Sequence, residues 1–438
     1  MYPIWEVPYL SSALVIGLIA SFHVLPSHLA VGALWVTVYI EKLAYSKNRP
    51  DYLDFVKRFT LLLLIFSFIF GSLSGIGIWY SATVSSPRGI SGLIHNYVWG
   101  WATEWVFFLI EIATIYAYYY TFGKVDPKTH IRIGYLYAIA AWISMIIITG
   151  ILAFMLTPGK WLETGDFFDG FFNPTYFPQL FARTFLMFGI AGIYGLVIAS
   201  TLKEETKLDL TRIISKTAFV GMILGGLFVI WYAFKLPQTA KELYTGLPYL
   251  SKLGKIALVC YLILSLYFLL TGFVVPKLNN FTLSFIFILV AFLGILCAEG
   301  IREGLRRPYI INYFMYGHQV IAKDLPAKNI KAEIELIQQE GLLPRLGYLP
   351  ESLRKITPEN RLEVGRIIAL HNCANCHAFT PKGVRPLPVL LGKLSPQSPE
   401  DIDAFLSALS AFPYMPPFAG NDEERKVAAE YLFTLIKK

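Results

Sequence analysis

The sequence contains few charged residues. Asp, Glu, Lys and Arg make up 16% of its 438 residues, whereas hydrophobic residues make up 55%. This shortage of charge excludes an ordinary soluble domain and predicts a polytopic membrane protein. A spanning helix needs about 20 mostly apolar residues. Eight stretches meet this requirement, at about 10–40, 59–82, 101–122, 134–157, 178–201, 216–234, 255–275 and 280–302. The predicted fold class is therefore an all-α bundle of about eight spans, followed by a small all-α domain.

The N-terminus lacks the basic segment of a cleavable signal peptide, so the first span is expected to act as its own insertion signal. The net charge of +8 does not indicate a nucleic-acid partner, because most basic residues lie in alternate loops. Loops 42–58, 123–133 and 202–216 are rich in Lys and Arg, whereas 83–100 and 158–177 hold one basic residue each. The positive-inside rule places the basic loops in the cytoplasm of a bacterium or archaeon. The N-terminus and the C-terminal domain are then periplasmic.

Cysteine is also scarce, with four residues in the chain. Cys260 and Cys297 lie in predicted spans and are interpreted as small apolar residues. Cys373 and Cys376 belong to a Cys-x-x-Cys-His sequence that ends at His377, which is the signature of covalent haem attachment. The two thiols add to the vinyl groups on one porphyrin edge, and the adjacent His becomes the proximal iron ligand. A zinc half-site or a thiol–disulfide pair is the alternative, but no second Cys or His pair follows His377.

A second axial ligand for this haem is expected from Met415, the only Met after the attachment sequence. Neighbouring prolines would hold its thioether on a rigid loop. The pattern predicts a helix over 359–372 and a closing helix over 421–436, capped by Asn421. These features resemble a class I cytochrome c domain, in which a Met/His pair raises the haem potential. His371, two residues before Cys373, is interpreted as a surface residue and not as an iron ligand.

The composition divides the chain into three parts. A transmembrane haem domain is predicted for residues 1–309, a linker for 310–356, and the cytochrome c domain for 357–438. The middle of the linker, 329–340, has apolar residues at the spacing of an amphipathic helix.

Ionisable residues inside the spans are few, and such residues are costly to bury and commonly functional. Most of them fall at the end of the spans where the cytochrome c domain is expected. A cluster of this kind is suited to haem, with His and Glu as iron ligands and Arg for the propionates. Snorkelling side chains or satisfied ion pairs are the alternative, with Arg183 beside a Glu as the clearest case. The residues are His23, His28, Glu104, Glu111, Arg183, Glu299 and Glu303.

Several short segments, in the expected order on the expected helices, resemble the large subunit of cytochrome bd oxidases. The likeness covers about residues 10–310. The segments are Phe22–Leu25 with Gly32, the glycine run Gly71–Gly77, the two-carboxylate segment Ala102–Glu111, Thr157–Gly159, and Glu303–Tyr309.

The resemblance implies roles for individual residues. It makes His23 and Glu303 ligands of b-type haems, with Glu104 as a further candidate iron ligand. Glu104 and Glu111 are also candidates for catalysis, because such a pair can pass protons. The haem-binding candidates further include Arg183, Arg306 and His28, the last through a hydrogen bond or a second site.

The departures from that family are equally informative. The family's low-spin haem uses a His where this chain has Arg183, and a Met in span 7, which holds no Met here. The family's long loop after span 6, linked to quinol oxidation, is only about 20 residues long here. The low-spin haem and the quinol site are therefore both expected to be absent. The cytochrome c domain stands where electrons would otherwise arrive.

These observations predict a bd-like oxidase subunit that carries one covalent haem c and two b-type haems, one of which the sequence does not distinguish from haem d. Electrons would pass between a periplasmic cytochrome c domain and the buried haems, and oxygen would be reduced without a quinol site. The expected partners are membrane lipid, other membrane subunits and a soluble periplasmic electron carrier, with no nucleic acid. Two alternatives stay open, namely a non-catalytic electron-transfer subunit of a larger respiratory complex and a membrane anchor with a haem in its C-terminal domain alone.

Overall fold

A computed structural model describes residues 1–436. Within this range, eight helical segments are long and apolar enough to cross a membrane, which confirms the predicted all-α, multi-pass architecture. The α-helices are α1 (Ser12–Ser46), α2 (Tyr52–Leu63), α3 (Gly71–Ser85), α4 (Pro87–Tyr120), α5 (Pro127–Phe154), α6 (Trp161–Thr164), α7 (Phe167–Phe171), α8 (Tyr176–Ala199), α9 (Glu204–Lys235), α10 (Gln238–Gly246), α11 (Pro248–Leu269), α12 (Phe281–Leu305), α13 (Ile334–Glu340), α14 (Arg361–Cys373), α15 (Leu387–Gly392), α16 (Pro399–Ser407) and α17 (Asp422–Ile436).

The spans run alternately in opposite directions. A π-helical stretch, Leu64–Phe70, joins α2 and α3 into one span, and a second one, Leu270–Val274, extends α11. The C-terminal domain packs at the end of the bundle where α1 and α4 begin and α12 ends. We call this end the docking end. The other end, where α1 and α4 finish and α5 begins, is called the opposite end.

Helix α1 lies at the centre of the bundle, where it contacts α2, α3, α5, α8 and α12. Its close contact with α8 depends on Gly32. A Cβ atom at this position would lie 2.6 Å from the carbonyl oxygen of Met187. Apolar side chains such as Leu29 and Leu34 are fully buried beside it. This packing fixes the position of every side chain that α1 directs into the bundle.

The C-terminal domain is a small helical unit in which α14 packs against α17 and α16 packs against α17. Helix α17 begins as the sequence predicts, since the Asn421 side chain accepts a hydrogen bond from the Glu424 amide at 3.0 Å. The Glu424 carboxylate in turn accepts bonds from the amides of Leu342 and Leu343 at 2.7 and 2.8 Å. Burial is the largest influence on this carboxyl group and raises its pKa. Glu424 therefore links the domain to the segment before it.

The segment 310–356, predicted as a linker, is folded against both parts of the protein. Its strands β1 (Tyr309–Ile311) and β2 (Met315–Tyr316) form an antiparallel pair at the docking end. Its helix α13 is shorter than the predicted 329–340. Arg88 of α4 forms a bidentate ion pair with Glu333, at 2.8 and 2.9 Å, and thereby fastens this segment to the bundle.

The attachment sequence itself touches the membrane bundle. Asn375, between the two cysteines, accepts a hydrogen bond from the Ser12 hydroxyl at 3.0 Å and one from the Ala13 amide to its carbonyl at 3.3 Å. Its amide group donates to the Gly317 carbonyl at 2.7 Å. The N-terminal residues continue this contact, because the Tyr9 carbonyl accepts from the Val384 amide at 2.9 Å. The C-terminal domain is therefore docked onto the first turn of α1.

Two histidines are buried at this junction. His371 is 2% exposed, so its interpretation as a surface residue is wrong. The charges of His318, in the 310–356 segment, and of the N-terminal amino group act on it, so segments far from α14 in sequence lie near it. His318, also 2% exposed, contacts the Pro417 carbonyl through Nε2 at 3.0 Å. Burial is the main cause that lowers the pKa of His371 to about 3 and that of His318 to about 4.

These low pKa values predict acid sensitivity at the junction. An unfolded His takes up a proton near pH 6.5, whereas folded His318 stays neutral down to about pH 4. Its stabilising contribution is thus complete above pH 6.5 and is lost as the pH falls towards 4, by about 2 kcal/mol between pH 7.5 and 5. We expect H318Q to lose less stability over this interval than the wild type. Thermal unfolding at both pH values tests this, and equal losses would contradict it.

Candidate functional site

His23 lies on α1 in the half of the bundle nearer the docking end. Its Nδ1 atom is 2.9 Å from the Ser74 hydroxyl. That hydroxyl donates its own hydrogen to the carbonyl groups of Phe70 and Gly71, at 2.7 and 3.0 Å. The Ser74 oxygen is therefore free to accept from Nδ1, and Nε2 is left as the unprotonated, ligand-competent nitrogen.

The two carboxylates of α4 share one hydroxyl partner. The Ser144 hydroxyl of α5 donates to Glu104 at 3.0 Å, and it also interacts with Glu111. Glu111 is buried, whereas Glu104 is partly exposed. The two carboxylates lie on one face of α4, because a single side chain on the next helix reaches both.

The end of α12 carries two carboxylates, and each pairs with an Arg one turn further on. Glu299 bonds to Arg302 at 2.7 Å, and Glu303 bonds to Arg306 at 2.5 Å. Arg306 is buried, and its Nε atom has no hydrogen-bond partner among the described residues. A buried guanidinium with a free donor fits an acidic group such as a haem propionate.

His28 is five residues beyond His23 on α1, about 140° round the helix. Its Nδ1 atom contacts the Val24 carbonyl at 3.0 Å within its own helix. The charges of Arg183, Glu299 and His23 all act on it. The charge of Glu299 also acts on Arg183, but the salt-bridge partner of Glu299 among the described residues is Arg302. His28 is therefore within electrostatic reach of both Glu299 and His23, and an ion pair between Arg183 and a Glu stays a prediction.

In the C-terminal domain, His377 is held by a hydrogen bond from Nδ1 to the Arg385 carbonyl at 3.0 Å. This bond directs Nε2 away as a ligand-competent atom. Cys373 and Cys376 are free thiols one helical turn apart. Burial raises the pKa of Cys373 to about 12 and lowers that of His377 to about 4. Within residues 1–436, no group of three or more His, Cys, Asp or Glu side chains could hold a metal ion, so the zinc alternative lacks ligands.

The Met415 loop is fastened to the attachment helix. Asn372 bonds to the Ala419 backbone in both directions, at 2.8 and 3.1 Å. His318 holds the Pro417 carbonyl from the other side. Met415 packs, partly buried, against the same apolar cluster as Cys373. The loop that carries Met415 is therefore held against the helix that carries the attachment sequence, and the role of Met415 as an iron ligand stays a prediction.

The two sets of residues meet at the docking end. The charges of Arg307, Glu303 and Arg306 act on the Cys376 thiol, whose pKa is raised mainly by burial. The Arg307 charge also acts on His377. The attachment sequence thus faces the end of α12, and Asn375 contacts the start of α1. Helices that carry His23 and Glu303 both lead from this point into the bundle.

Sequence alone does not reveal the partners that hold these groups. Ser74 and Ser144 carry no signal of their own, because isolated serines are common in spans. Sequence alone also does not reveal a buried polar cluster at the opposite end. Glu41, Tyr118 and His130 are 0–3% exposed and hydrogen-bonded to one another. Glu41 is just beyond the predicted apolar stretch 10–40, and His130 is in the predicted loop 123–133, so neither is among the ionisable residues predicted inside the spans.

Comparison with known proteins identifies a family and a solved structure to which this chain is similar. The sequence profile of the family described as "Cytochrome bd terminal oxidase subunit I" matches residues 12–248. A solved structure with a similar fold is that of bd oxidase from Geobacillus thermodenitrificans, with a TM-score of 0.61 and 16% sequence identity. The match covers 74% of this chain and 91% of that chain. No match is found among curated proteins.

The family profile covers more than half of the chain, from the first residue of α1 to the start of α11. It includes His23, Ser74, Glu104, Glu111 and Ser144. The chain therefore belongs to the cytochrome bd terminal oxidase subunit I family.

Proposed function

We propose that this chain is the haem-bearing subunit of a bd-type terminal oxidase whose electrons arrive through a covalently attached haem c. One observation carries the proposal: Cys376 and His377 lie within the electrostatic reach of the Glu303–Arg307 segment, while Asn375 is bonded to the start of α1. A haem on the attachment sequence would therefore stand over the two helices that hold the candidate ligands His23 and Glu303.

The C-terminal residues fit haem c. The thiols have the spacing for two thioether bonds, and the His377 ring is oriented by a backbone carbonyl. Arg385 adds a buried Nη1 donor with no partner among the described residues, which suits a propionate. Met415 would be the second axial ligand, and thioether ligation supports a high potential.

The membrane residues fit b-type haem. His23 presents an unprotonated Nε2, Glu303 and Glu104 supply carboxylates, and Arg306 supplies an unpartnered donor. The bound haems would supply the site at which oxygen is held and reduced. Arg183 and His28 are proposed to balance the charge of the α12 carboxylates rather than to bind iron.

Direct electron transfer between the two sites is proposed to run beside α1. His23 is eleven residues beyond Ser12, so these two residues lie about 16 Å apart along the helix axis. The resemblance to the family aligns Arg183 with the low-spin haem ligand, and on that basis haem c is proposed to replace that haem. Protons for water formation are proposed to pass Glu111 and Glu104, which are linked through Ser144.

The other partners follow from this arrangement. The C-terminal domain would accept electrons from a soluble carrier on its own side of the membrane. This side is proposed to be periplasmic, because the basic loops lie at the opposite end and the positive-inside rule places them in the cytoplasm. A second membrane subunit is expected to cover part of the apolar helix surface.

The first prediction concerns haem content. We expect C373S/C376S to lose all covalently bound haem while retaining the extractable b-type haem, because separate residues hold the two groups. Pyridine haemochrome spectra before and after acid–acetone extraction measure both. Substitution of the buried span cysteines, C260S/C297S, is the matched control and should lose neither. A wild-type chain that carries haem c alone would contradict the membrane half of the proposal.

A second prediction separates the two histidines of α1. We expect H23A to abolish CO binding to the reduced membrane haem, because its Nε2 is the ligand-competent atom. H28A, five residues further on and on a different side of α1, should keep CO binding. CO difference spectra and oxygen consumption with a chemical reductant provide the readouts. If the wild type binds no CO and reduces no oxygen although its haems are present, the chain is instead a non-catalytic electron carrier.

A further inference from the structure

Three polar side chains from three helices form a closed cluster at the opposite end of the bundle. The Tyr118 hydroxyl donates to Glu41 Oε2 at 2.5 Å, and His130 Nδ1 lies 2.7 Å from Glu41 Oε1. His130 Nε2 contacts the Tyr118 carbonyl oxygen at 2.7 Å. Glu41 and Tyr118 are fully buried and His130 is 3% exposed, so water makes almost no contact with them.

The geometry requires a proton shared between His130 and Glu41. The Tyr118 carbonyl can only accept, so His130 Nε2 carries a hydrogen. His130 Nδ1 lies 2.7 Å from Glu41 Oε1, and at this distance the two atoms must share a hydrogen bond. One more hydrogen must therefore lie between them. That hydrogen resides on the imidazole or on the carboxyl group, and the Tyr118 hydroxyl supplies a further one on the other side. Such an arrangement can take up a proton at one atom and release one at another.

The cluster is in line with the carboxylates of the proposed oxygen site. Glu104, Glu111 and Tyr118 follow one another on α4 at seven-residue intervals, which keeps all three on nearly one face. Tyr118 lies about 10 Å beyond Glu111 along the axis. The buried Thr114 hydroxyl lies between them, bonded to the carbonyls of Ile110 and Glu111.

The same cluster lies near the surface of the opposite end. His130 is one turn from the start of α5, and the preceding residues Lys128 and Asp126 are exposed. Glu41 is close to the end of α1, where Lys42 is exposed. Tyr45 is a further titratable group whose charge acts on Tyr118. The cluster is thus within one helical turn of water at one side and in line with Glu111 at the other.

We propose that Tyr118, Glu41 and His130 form the proton-loading site of this chain, which takes protons at the opposite end and passes them along α4 to Glu111 and Glu104. The inference rests on the proposed oxidase function. Each O2 reduced to two water molecules consumes four electrons and four protons. The electrons come from the haem c side, and the protons enter through His130 and Glu41, with each proton replaced from water after it leaves. Water molecules complete the path between Tyr118 and Glu111.

The test uses E41Q and Y118F in the purified, haem-loaded chain with its natural partner subunits. E41Q keeps the size and the hydrogen-bonding capacity of the side chain but removes its proton exchange. Y267F is the matched control, because Tyr267 is also a buried tyrosine near the opposite end, 2.8 Å from Ser284, and is away from α4. The reduced protein is mixed with oxygen, and a pH dye reports proton uptake while absorbance reports haem oxidation.

We expect proton uptake to slow roughly tenfold or more in E41Q and Y118F, with unchanged haem content and unchanged reduction of haem c, and to stay at the wild-type rate in Y267F. Wild-type proton uptake in the haem-loaded E41Q and Y118F variants would overturn the proposal, as would equal slowing in Y267F. If E41Q fails to retain haem, Y118F alone decides. A wild-type chain that reduces no oxygen would overturn both the proposed function and this site. Oxygen reduction by the wild type is therefore measured before any variant is compared.

Discussion

An ionisable side chain buried among apolar helices must find a polar partner, because the membrane interior offers none. This constraint organises the bundle. Ser74 holds His23, Ser144 joins the carboxylates of α4, and each Glu of α12 has an Arg one turn away. The partners also determine which atoms remain available. His23 keeps one free nitrogen and Arg306 one free donor, so the groups that satisfy the burial requirement also define the shape of the site.

The same constraint separates the two ends of the bundle by chemistry. The docking end collects His23, the α12 ion pairs and the attachment sequence, which together suit electron transfer and haem binding. The opposite end holds the Glu41–Tyr118–His130 cluster, which suits proton exchange. Helix α4 connects the two, with a carboxylate or a hydroxyl group at every second turn. Electrons and protons would thus reach the oxygen site from opposite ends, and docking through Asn375 aligns the electron side with α1.

Apolar composition was sufficient to predict the spans, because the thickness of the bilayer core sets their length and hydropathy identifies the segments that meet it. The haem attachment sequence and the paired positions of Glu104 and Glu111 could likewise be read from spacing. What could not be predicted depended on contacts between distant segments. His371 is buried, and the groups whose charges act on it, among them His318 and the N-terminus, are far from it along the chain. Ser74 and Ser144 can be recognised as partners only in the folded bundle, where α3 packs on α1 and α5 packs on α4. Glu41 is outside the stretches that hydropathy selects.

We propose that haem c at the docking end exchanges electrons directly with a haem in the membrane bundle. Flash photolysis of CO is the decisive measurement, in protein whose membrane haem is reduced and CO-bound while haem c is oxidised. We expect the release of CO to lower the potential of the membrane haem, so that an electron flows back and haem c becomes reduced in the same kinetic phase. Photolysis and CO recombination with no absorbance change at haem c would contradict it.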